Sequence, residues 1–487
     1  MKRLFSPAKG TSGWPRLPAI AAEAMVATSH PLATRAGVRA LEAGGNAVDA
    51  ALAAAAMLTV CEPGHNGLGG DAFALLWWDG ALYGLNGSGR SPAQLDSGAV
   101  DRYGPRSVTV PGAVRAWADL AERFGRLGLA AAVAPAAEAA RRGIAATARV
   151  AEHWRIAQAR APWPAPPPGR VYRLPELAST LRRIAEEGPS ALYEGRVAAA
   201  IAAASWLAES DLASHRSEWV EPLRSAYRGV EVCELPPNGQ GAAVLVALQI
   251  ADDLEPGLHG EIESVKLALD WASRTIADAP LEQPDVEELR GRISPAAALD
   301  TAVWPGSDTT YLCAVDGDRN AVSLIQSTFE HFGSGVLAGD TGVVLQNRGA
   351  CFTAAAGHPN RLAPATRPFH TIIPGLLLRD GGLLGPFGVM GGHMQAQAHF
   401  QVVRNVVDRG LDPQAALDAA RFRVDGGRKV ALEPGLWPEA DELGERGHEV
   451  ELAEVPHKFG VGQIILTLED GLVGGSDGRG DGHAAGL

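Results

Sequence analysis

At residues 309 and 310 the chain changes character, and that change limits the folds open to it. The run "AALDTAVWPG" reads as loop, whereas Thr310 to Val315, "TYLCAV", consists of β-branched, aromatic and apolar residues of strand type. Before this seam, alanine-rich stretches carry helical periodicity, among them "NAVDAALAAAAMLTVCEP", "AVRAWADLAERFG" and "EIESVKLALDWASRTIAD". A hairpin is expected in "GDAFALLWWDGALYGL", with its turn at Asp79-Gly80. Beyond the seam strands dominate. "TTYLCAVDGDRNAVSLIQSTF" reads as two strands about a turn at Asp316 to Arg319, and "GVVLQNRG" and "HTIIPGLLLRDGGLLGPFGVMGG" are expected to continue the sheet. A helix follows in "MQAQAHFQVVRNVVDRG", and "GLVGGSDGRGDGHAAGL" reads as a glycine-rich tail. Helices and strands segregated in this way imply an α+β fold of stacked sheets sandwiched by helices.

At 487 residues the chain is long enough for one large layered fold or for two to four units of ordinary size. The proline-dense "ARAPWPAPPPGRVYR" is the best candidate for an internal linker or surface loop. With 56 acidic against 43 basic residues the formal charge is -13, which argues against a nucleic-acid or anionic-membrane binder but leaves room for a small anionic substrate met by a local arginine. Cys61, Cys233, Cys313 and Cys351 stand singly, a pattern of buried reduced thiols rather than of a disulfide framework or zinc site. "GLGGD" lacks the Gly-Lys-Ser/Thr ending of a phosphate loop and reads as a turn near a site. His393 and His399 miss the four-residue spacing that puts two ligands on one helical face. Neither cofactor nor metal is therefore expected. Asp71 and Asp477 read as turn-capping residues. The start "MKRLFSPAKGTSGWP" lacks the apolar region of a signal peptide, and the longest apolar stretch is short and interrupted by Asp49, so a cytoplasmic location is expected.

A threonine at a loop-to-strand seam is placed to become a chain terminus. Taken alone, Thr309 is the ordinary first residue of a strand; the rest of the chain decides otherwise. A threonine hydroxyl is a poor nucleophile near neutrality, but an N-terminal threonine carries its own base, an α-amine with a pKa of about 8.

Taken in order, "NGLGGDAFALL", "SVTVPGAVRAW", "ELPPNGQGA", "DTTYLCAVDGDRNAVSLIQS", "FGSGVLAGDTGVVLQNRG", "RPFHTIIP", "GVMGGHMQAQ" and "GGSDGRGDG" resemble the γ-glutamyltransferase family of N-terminal nucleophile hydrolases, from about residue 25 to the C-terminus. The resemblance implies a four-layer αββα sandwich and a precursor that cuts itself between Asp308 and Thr309. That cut would yield a large subunit, 1–308, and a small one, 309–487, intertwined in one domain, with further self-association open. It implies Thr309 as nucleophile, with Thr310 the lesser candidate. Gly391 and Gly392 would supply oxyanion-binding N–H groups, a role glycines suit because no side chain blocks approach; read alone, "MGGH" is a plain turn. Ser327 falls where the family has a second hydroxyl beside the nucleophile. Gly474, Gly475 and Ser476 fall at the pocket rim.

The departures from the family concern the substrate. The arginine that holds an α-carboxylate falls at Ser88, with Arg90 two residues on; paired serines become His370 and Thr371; an asparagine becomes Phe329, a glutamine Arg348, and an acidic residue Cys351. Without that acid, an α-ammonium lacks its counter-charge. Arg90 and Arg348 remain as cations suited to a carboxylate, each with an ordinary alternative in a salt bridge. The wording "SLIQSTFEHFGSGV" and "LQNRGA" is similar to the oxamate-amidohydrolase-like branch of the family. The expected activity is amide hydrolysis or acyl transfer on γ-glutamyl-like or small carboxylate-bearing amides. The alternatives are an oxamate or glutaryl-type amidohydrolase without γ-glutamyl activity, and an uncut protein that merely binds a small acid.

Overall fold

The computed structural model describes residues 15–95, 98–301, 309–454 and 456–487, so Asp308, on one side of the expected cut, lies outside the described residues. Two antiparallel seven-stranded sheets form the centre. The first runs Ala19–Ala21, Gly471–Ser476, Val461–Leu468, Gly382–Met390, Gly375–Arg379, Val230–Glu234, Leu223–Tyr227. The second runs His483–Gly486, Met25–Thr28, Thr310–Val315, Ala321–Ser327, Asp71–Trp78, Ala81–Gly87, Glu218–Val220. Strands from either side of residue 309 are interleaved in both, so the two sequence halves share one body.

Three apolar cores separate four layers. One joins the helices Pro31–Glu42, Ala47–Cys61, Ala113–Phe124 and Gly128–Arg142 to the second sheet. Another fills the space between the sheets. The last joins the helices Gly241–Asp252, Leu258–Thr275 and Met394–Val407 to the first sheet. This is the αββα sandwich, and the Thr310 strand shows why its sequence reads as a continuous apolar run. Leu312 and Ala314 pack toward the helices, while Tyr311, Cys313 and Val315 pack between the sheets, so both faces are buried.

Local chemistry sets several boundaries. Asn46 opens its helix with a reciprocal cap, accepting from the Val48 and Asp49 N–H groups while Asp49 accepts from its own. Asp79 and Gly80 turn the predicted hairpin with φ of 47° and 75°, the pair of positive values a tight two-residue turn demands. "GVVLQNRG" forms no strand: only isolated bridges, Leu337 with Val344 and Gly69 with Leu345, mark it, and it ends in a short 3-10 turn, Arg348–Cys351. Positive φ at Gly339 and Gly342 curls the approach, and its polar side chains turn inward. The glycine-rich end is no tail, because Gly471–Ser476 and His483–Gly486 occupy places in the two sheets. A β-carbon at Gly474 would sit 2.3 Å from the Met25 sulfur, so glycine there permits close packing of the sheets. The proline-dense stretch is a surface loop rather than a linker, with Trp163 edge-on to Trp154. Among the described residues no helix is long and apolar enough to cross a membrane.

Candidate active site

Sheet register brings the expected residues into a row. Thr310 pairs with Gln326, so Thr309 and Ser327 come next at the same end of their strands, and Ser327 pairs in turn with Asp71. The alternation that sends Tyr311, Ile325 and Phe73 between the sheets sends Thr309, Ser327 and Asp71 the same way. All three are fully buried.

Thr309 Oγ1 donates to Ser327 Oγ at 3.4 Å and accepts from Gln395 Nε2 at 3.1 Å. Gln395 is held in that orientation because its Oε1 accepts the Ile373 N–H at 3.1 Å. It lies in the first turn of the Met394–Val407 helix, just past Gly391 and Gly392, whose φ values of 132° and 62° make the sharp exit from the Gly382–Met390 strand. The first sheet thus presents a glycine turn and a helix N-terminus, the positive end of a helix dipole, beside Thr309. Gln240 fastens the neighbourhood, donating to the carbonyls of Thr371 at 2.6 Å and Gly392 at 2.9 Å.

Arg348 is the buried cation of the site. Its Nη1 donates to Thr371 Oγ1 at 3.0 Å and lies 3.8 Å from the Cys351 sulfur; its Nη2 reaches Ser327 Oγ only at 3.5 Å. The guanidinium stacks 4.3 Å from the centre of the Phe329 ring. Phe329 itself has φ of 77°, a strained backbone for a bulky residue, held by its N–H to Ser327 Oγ at 2.8 Å. Among the described residues Nε has no hydrogen-bond partner and no carboxylate pairs with Arg348. Burial, more than any neighbour, lowers its pKa, yet a guanidinium keeps its charge.

Asp71 lies behind this cation. Its carboxylate accepts from the Gly89 and Gly112 N–H groups at 3.1 Å, from Gln346 Nε2 at 2.9 Å and from His370 Nε2 at 3.1 Å. Burial pushes the carboxyl up to about 7, against the Arg348 charge and these donors, which favour the ionised form. His370 Nδ1 accepts the Ile372 N–H, so the proton sits on Nε2, and burial followed by the Arg348 charge holds the imidazole neutral, well below its usual range. Burial likewise pushes the Cys351 thiol up, to about 11.

The structure therefore gathers Thr309, Ser327, Phe329, Arg348, Thr371 and the Gly391-Gly392 turn. Other expected residues stand elsewhere or act otherwise. Arg90 points at Asp278 (2.8 Å) and Glu218 (3.0 Å), taking the salt-bridge alternative because those two carboxylates meet it. His370 is turned to Asp71, with Nε2 3.1 Å from its carboxylate. Ser88 hydrogen-bonds Asn86 and Asn238, leaving no cation at that position. Gly475 and Ser476 pack on the Pro413–Asp418 helix, with Ser476 and Gln414 exchanging hydrogen bonds. Asp477 is no simple turn cap but accepts from the buried Arg421 and from Arg479. Asp71, read as a turn cap, and Gln395 and Gln240, not singled out in the sequence, belong to the neighbourhood. Only the proximity of "GGHMQ" pointed to Gln395.

Known proteins resemble this chain along nearly its whole length. The gamma-glutamyltranspeptidase family model matches residues 33–487. A crystal structure of a cephalosporin acylase from Bacillus halodurans superposes with a TM-score of 0.94 at 41% identity, covering 100% of this chain and 99% of the other. A glutathione hydrolase-like proenzyme of Bacillus subtilis is 35% identical, and an oxamate amidohydrolase proenzyme of Klebsiella pneumoniae 32% identical, each over 96% of this chain and 99% of the relative. This chain belongs to the gamma-glutamyltranspeptidase family, within the N-terminal nucleophile hydrolases.

Proposed function

We propose that the protein is a self-cleaving amide hydrolase whose nucleophile is Thr309 and whose acyl substrate carries a carboxylate for Arg348. In maturation the Thr309 hydroxyl attacks the carbonyl carbon of residue 308, the acyl group moves from nitrogen to oxygen, and water hydrolyses the ester. That leaves a carboxylate on Asp308 and a free amine on Thr309. In turnover this amine takes the hydroxyl proton as Oγ1 attacks the substrate amide. The N–H groups of Gly391 and Gly392 stabilise the oxyanion. As the C–N bond breaks, the proton passes to the leaving amine. Water then attacks the acyl-enzyme, giving its proton to the Thr309 amine, and the acid departs as Oγ1 regains a proton.

One observation carries this reading: the Ser327 hydroxyl touches both Thr309 and a buried guanidinium that has no carboxylate partner among the described residues. Phe329 and Cys351 beside Arg348 favour small carboxylate-bearing amides, of oxamate or glutaryl type, over γ-glutamyl compounds. Intact mass under denaturing conditions tests the catalytic half. The wild-type protein should divide into 1–308 and 309–487, and Thr309→Ala should remain one inactive chain; two pieces from the variant would refute the assignment.

A further inference from the structure

We propose that Gln395 is a catalytic residue of the ester-cleaving steps: its amide N–H holds the Thr309 oxygen as that oxygen leaves an acyl carbon. This rests on the reading of Thr309 as nucleophile given above and assigns a role to a side chain which that reading does not use.

The Met394–Val407 helix carries buried glutamines at 395, 397 and 401, and each amide oxygen accepts a backbone N–H, from Ile373, Val424 and Phe422 in turn. Gln397 and Gln401 close back on the same residue. Their Nε2 groups donate to the carbonyls of Val424 at 3.2 Å and Phe422 at 3.0 Å, so the two amides pair with the Phe422–Gly426 strand as a neighbouring strand would. Gln395 does not close. Its Nε2 meets the Thr309 hydroxyl at 3.1 Å instead. Because Oε1 is fixed by the Ile373 N–H, turning the amide over would lose that bond, and Thr309 is faced by a donor. An acceptor alone would satisfy Ile373; the donor half is what the scaffold does not require.

A donor on this oxygen serves one half of the chemistry. As Oγ1 bonds to a carbonyl carbon it gives up electron density, and an N–H upon it is a small handicap. In ester hydrolysis the water oxygen bonds to the acyl carbon, the C–Oγ1 bond breaks and its electron pair stays on Oγ1. The Gln395 N–H stabilises that charge until the proton carried by the Thr309 amine reaches it. The same kind of bond breaks once in maturation, when the ester of Asp308 on Oγ1 is hydrolysed, and again in every turnover. The strand beyond the cut keeps Oγ1 within reach of its donor, because Thr310 pairs with Gln326 and its hydroxyl donates to the Gln326 carbonyl at 3.2 Å.

Gln395→Met keeps the bulk and removes the donor, and two measurements read it. In maturation the variant should stall as the ester, cutting itself about 30-fold more slowly than wild type, less than the loss of a full oxyanion-hole donor because a proton follows the charge. Neutral hydroxylamine added to the folded variant should restore division, its nitrogen taking the acyl group of Asp308 as a hydroxamate while Oγ1 regains a proton. A variant with wild-type circular dichroism that neither cuts nor yields to hydroxylamine needs Gln395 before the ester forms, and a variant that cuts at the wild-type rate does not need it at all; either result overturns the inference. In turnover, the matured proteins are mixed with the mono-p-nitrophenyl ester of glutaric acid, whose acylation shows as a burst of nitrophenol. The burst rate should change by less than about threefold while the steady rate falls about 30-fold. Equal losses in both phases, or none in either, overturn the inference. Gln395→Glu, which keeps the shape and the bond to Ile373, should show the same split at pH 8. A wild-type chain that stays whole sinks the Thr309 reading itself, so the two failures are told apart.

Discussion

Two buried clusters in this protein contain the same three kinds of group, a cation, a carboxylate and an imidazole, and they differ in whether the protein completes them. In the outer helical layer, Lys266 gives its three N–H groups to Glu263 (2.9 Å), the Leu299 carbonyl (3.1 Å) and His448 Nδ1 (3.3 Å). His448 Nε2 donates to His259 Nδ1, and His259 Nε2 to the Ser294 carbonyl, both at 2.8 Å. Burial and then the Lys266 charge push His448 down to about 3, so this chain of donors runs in one direction with each tautomer set by its neighbour. His259, Glu263 and His448 bring three possible ligand atoms within 4.8 Å, yet the cation of that cluster is the protein's own ammonium. Arg348 is buried as deeply but, among the described residues, meets a hydroxyl, a thiol and a ring rather than a paired carboxylate. The contrast frames the proposal: a buried charge answered by the protein is scaffold, whereas one without a carboxylate partner among the described residues is, on the reading proposed above, held for a ligand.

The widest test of this contrast is to remove each cation. Lys266→Met strands Glu263 and should destabilise the protein by about 3–5 kcal/mol in urea unfolding, with kcat/KM little changed in the fraction that folds. Arg348→Met should do the reverse, lowering kcat/KM on a carboxylate-bearing amide about 100-fold while the unfolding midpoint stays level or rises. Matching losses of stability from the two variants would break the comparison.

A carboxyl with no paired cation among the described residues sharpens it. Glu62 is buried with the Ser29 hydroxyl as its hydrogen-bond donor, at 2.7 Å, and burial pushes its pKa up to about 8. Its folded value lies above its unfolded one, so between about pH 4 and 8 the native protein holds a proton that the unfolded chain has lost, and stability falls as pH rises through that window. Glu62→Gln should therefore remove roughly 2–3 kcal/mol of the decline between pH 5 and 7, read as the difference between wild-type and variant unfolding curves. The smallest expected effect is a gain. Phe329→Asn with Cys351→Asp restores an amide and an acid beside Arg348, and asparagine tolerates the positive φ at 329. The pair should raise γ-glutamyl turnover relative to glutaryl about tenfold in competition assays.

The sequence carried the elements but not the long-range pairings. The strand at Thr310, the Asp79-Gly80 hairpin and the helix after Gly391 were legible because apolar period and turn chemistry are local properties. Arg90 was not, because its partner Asp278 is 188 residues away and no spacing rule anticipates it. Asp71 looked like a loop residue after "GLGG", yet four donors from separate segments converge on it. Gln395 carries no motif of its own; it matters because one helical turn and the Ile373 N–H aim its amide at Thr309. The segment 342–349 read as strand from its valines and leucine, but polar side chains drawn inward outweighed that pattern.

The interleaving of the sheets has a consequence for the lifetime of the molecule. The Thr310 and Ala321 strands lie between Met25–Thr28 and Asp71–Trp78, so a single cut before Thr309 frees neither piece while the sheets persist. Refolding, however, changes order. The uncut chain folds as one molecule, at a rate independent of concentration, whereas the cut protein, once unfolded, must find its other piece by diffusion. Maturation would thus make folding a step taken once, and the finished protein would owe its persistence to slow unfolding rather than to a ready return.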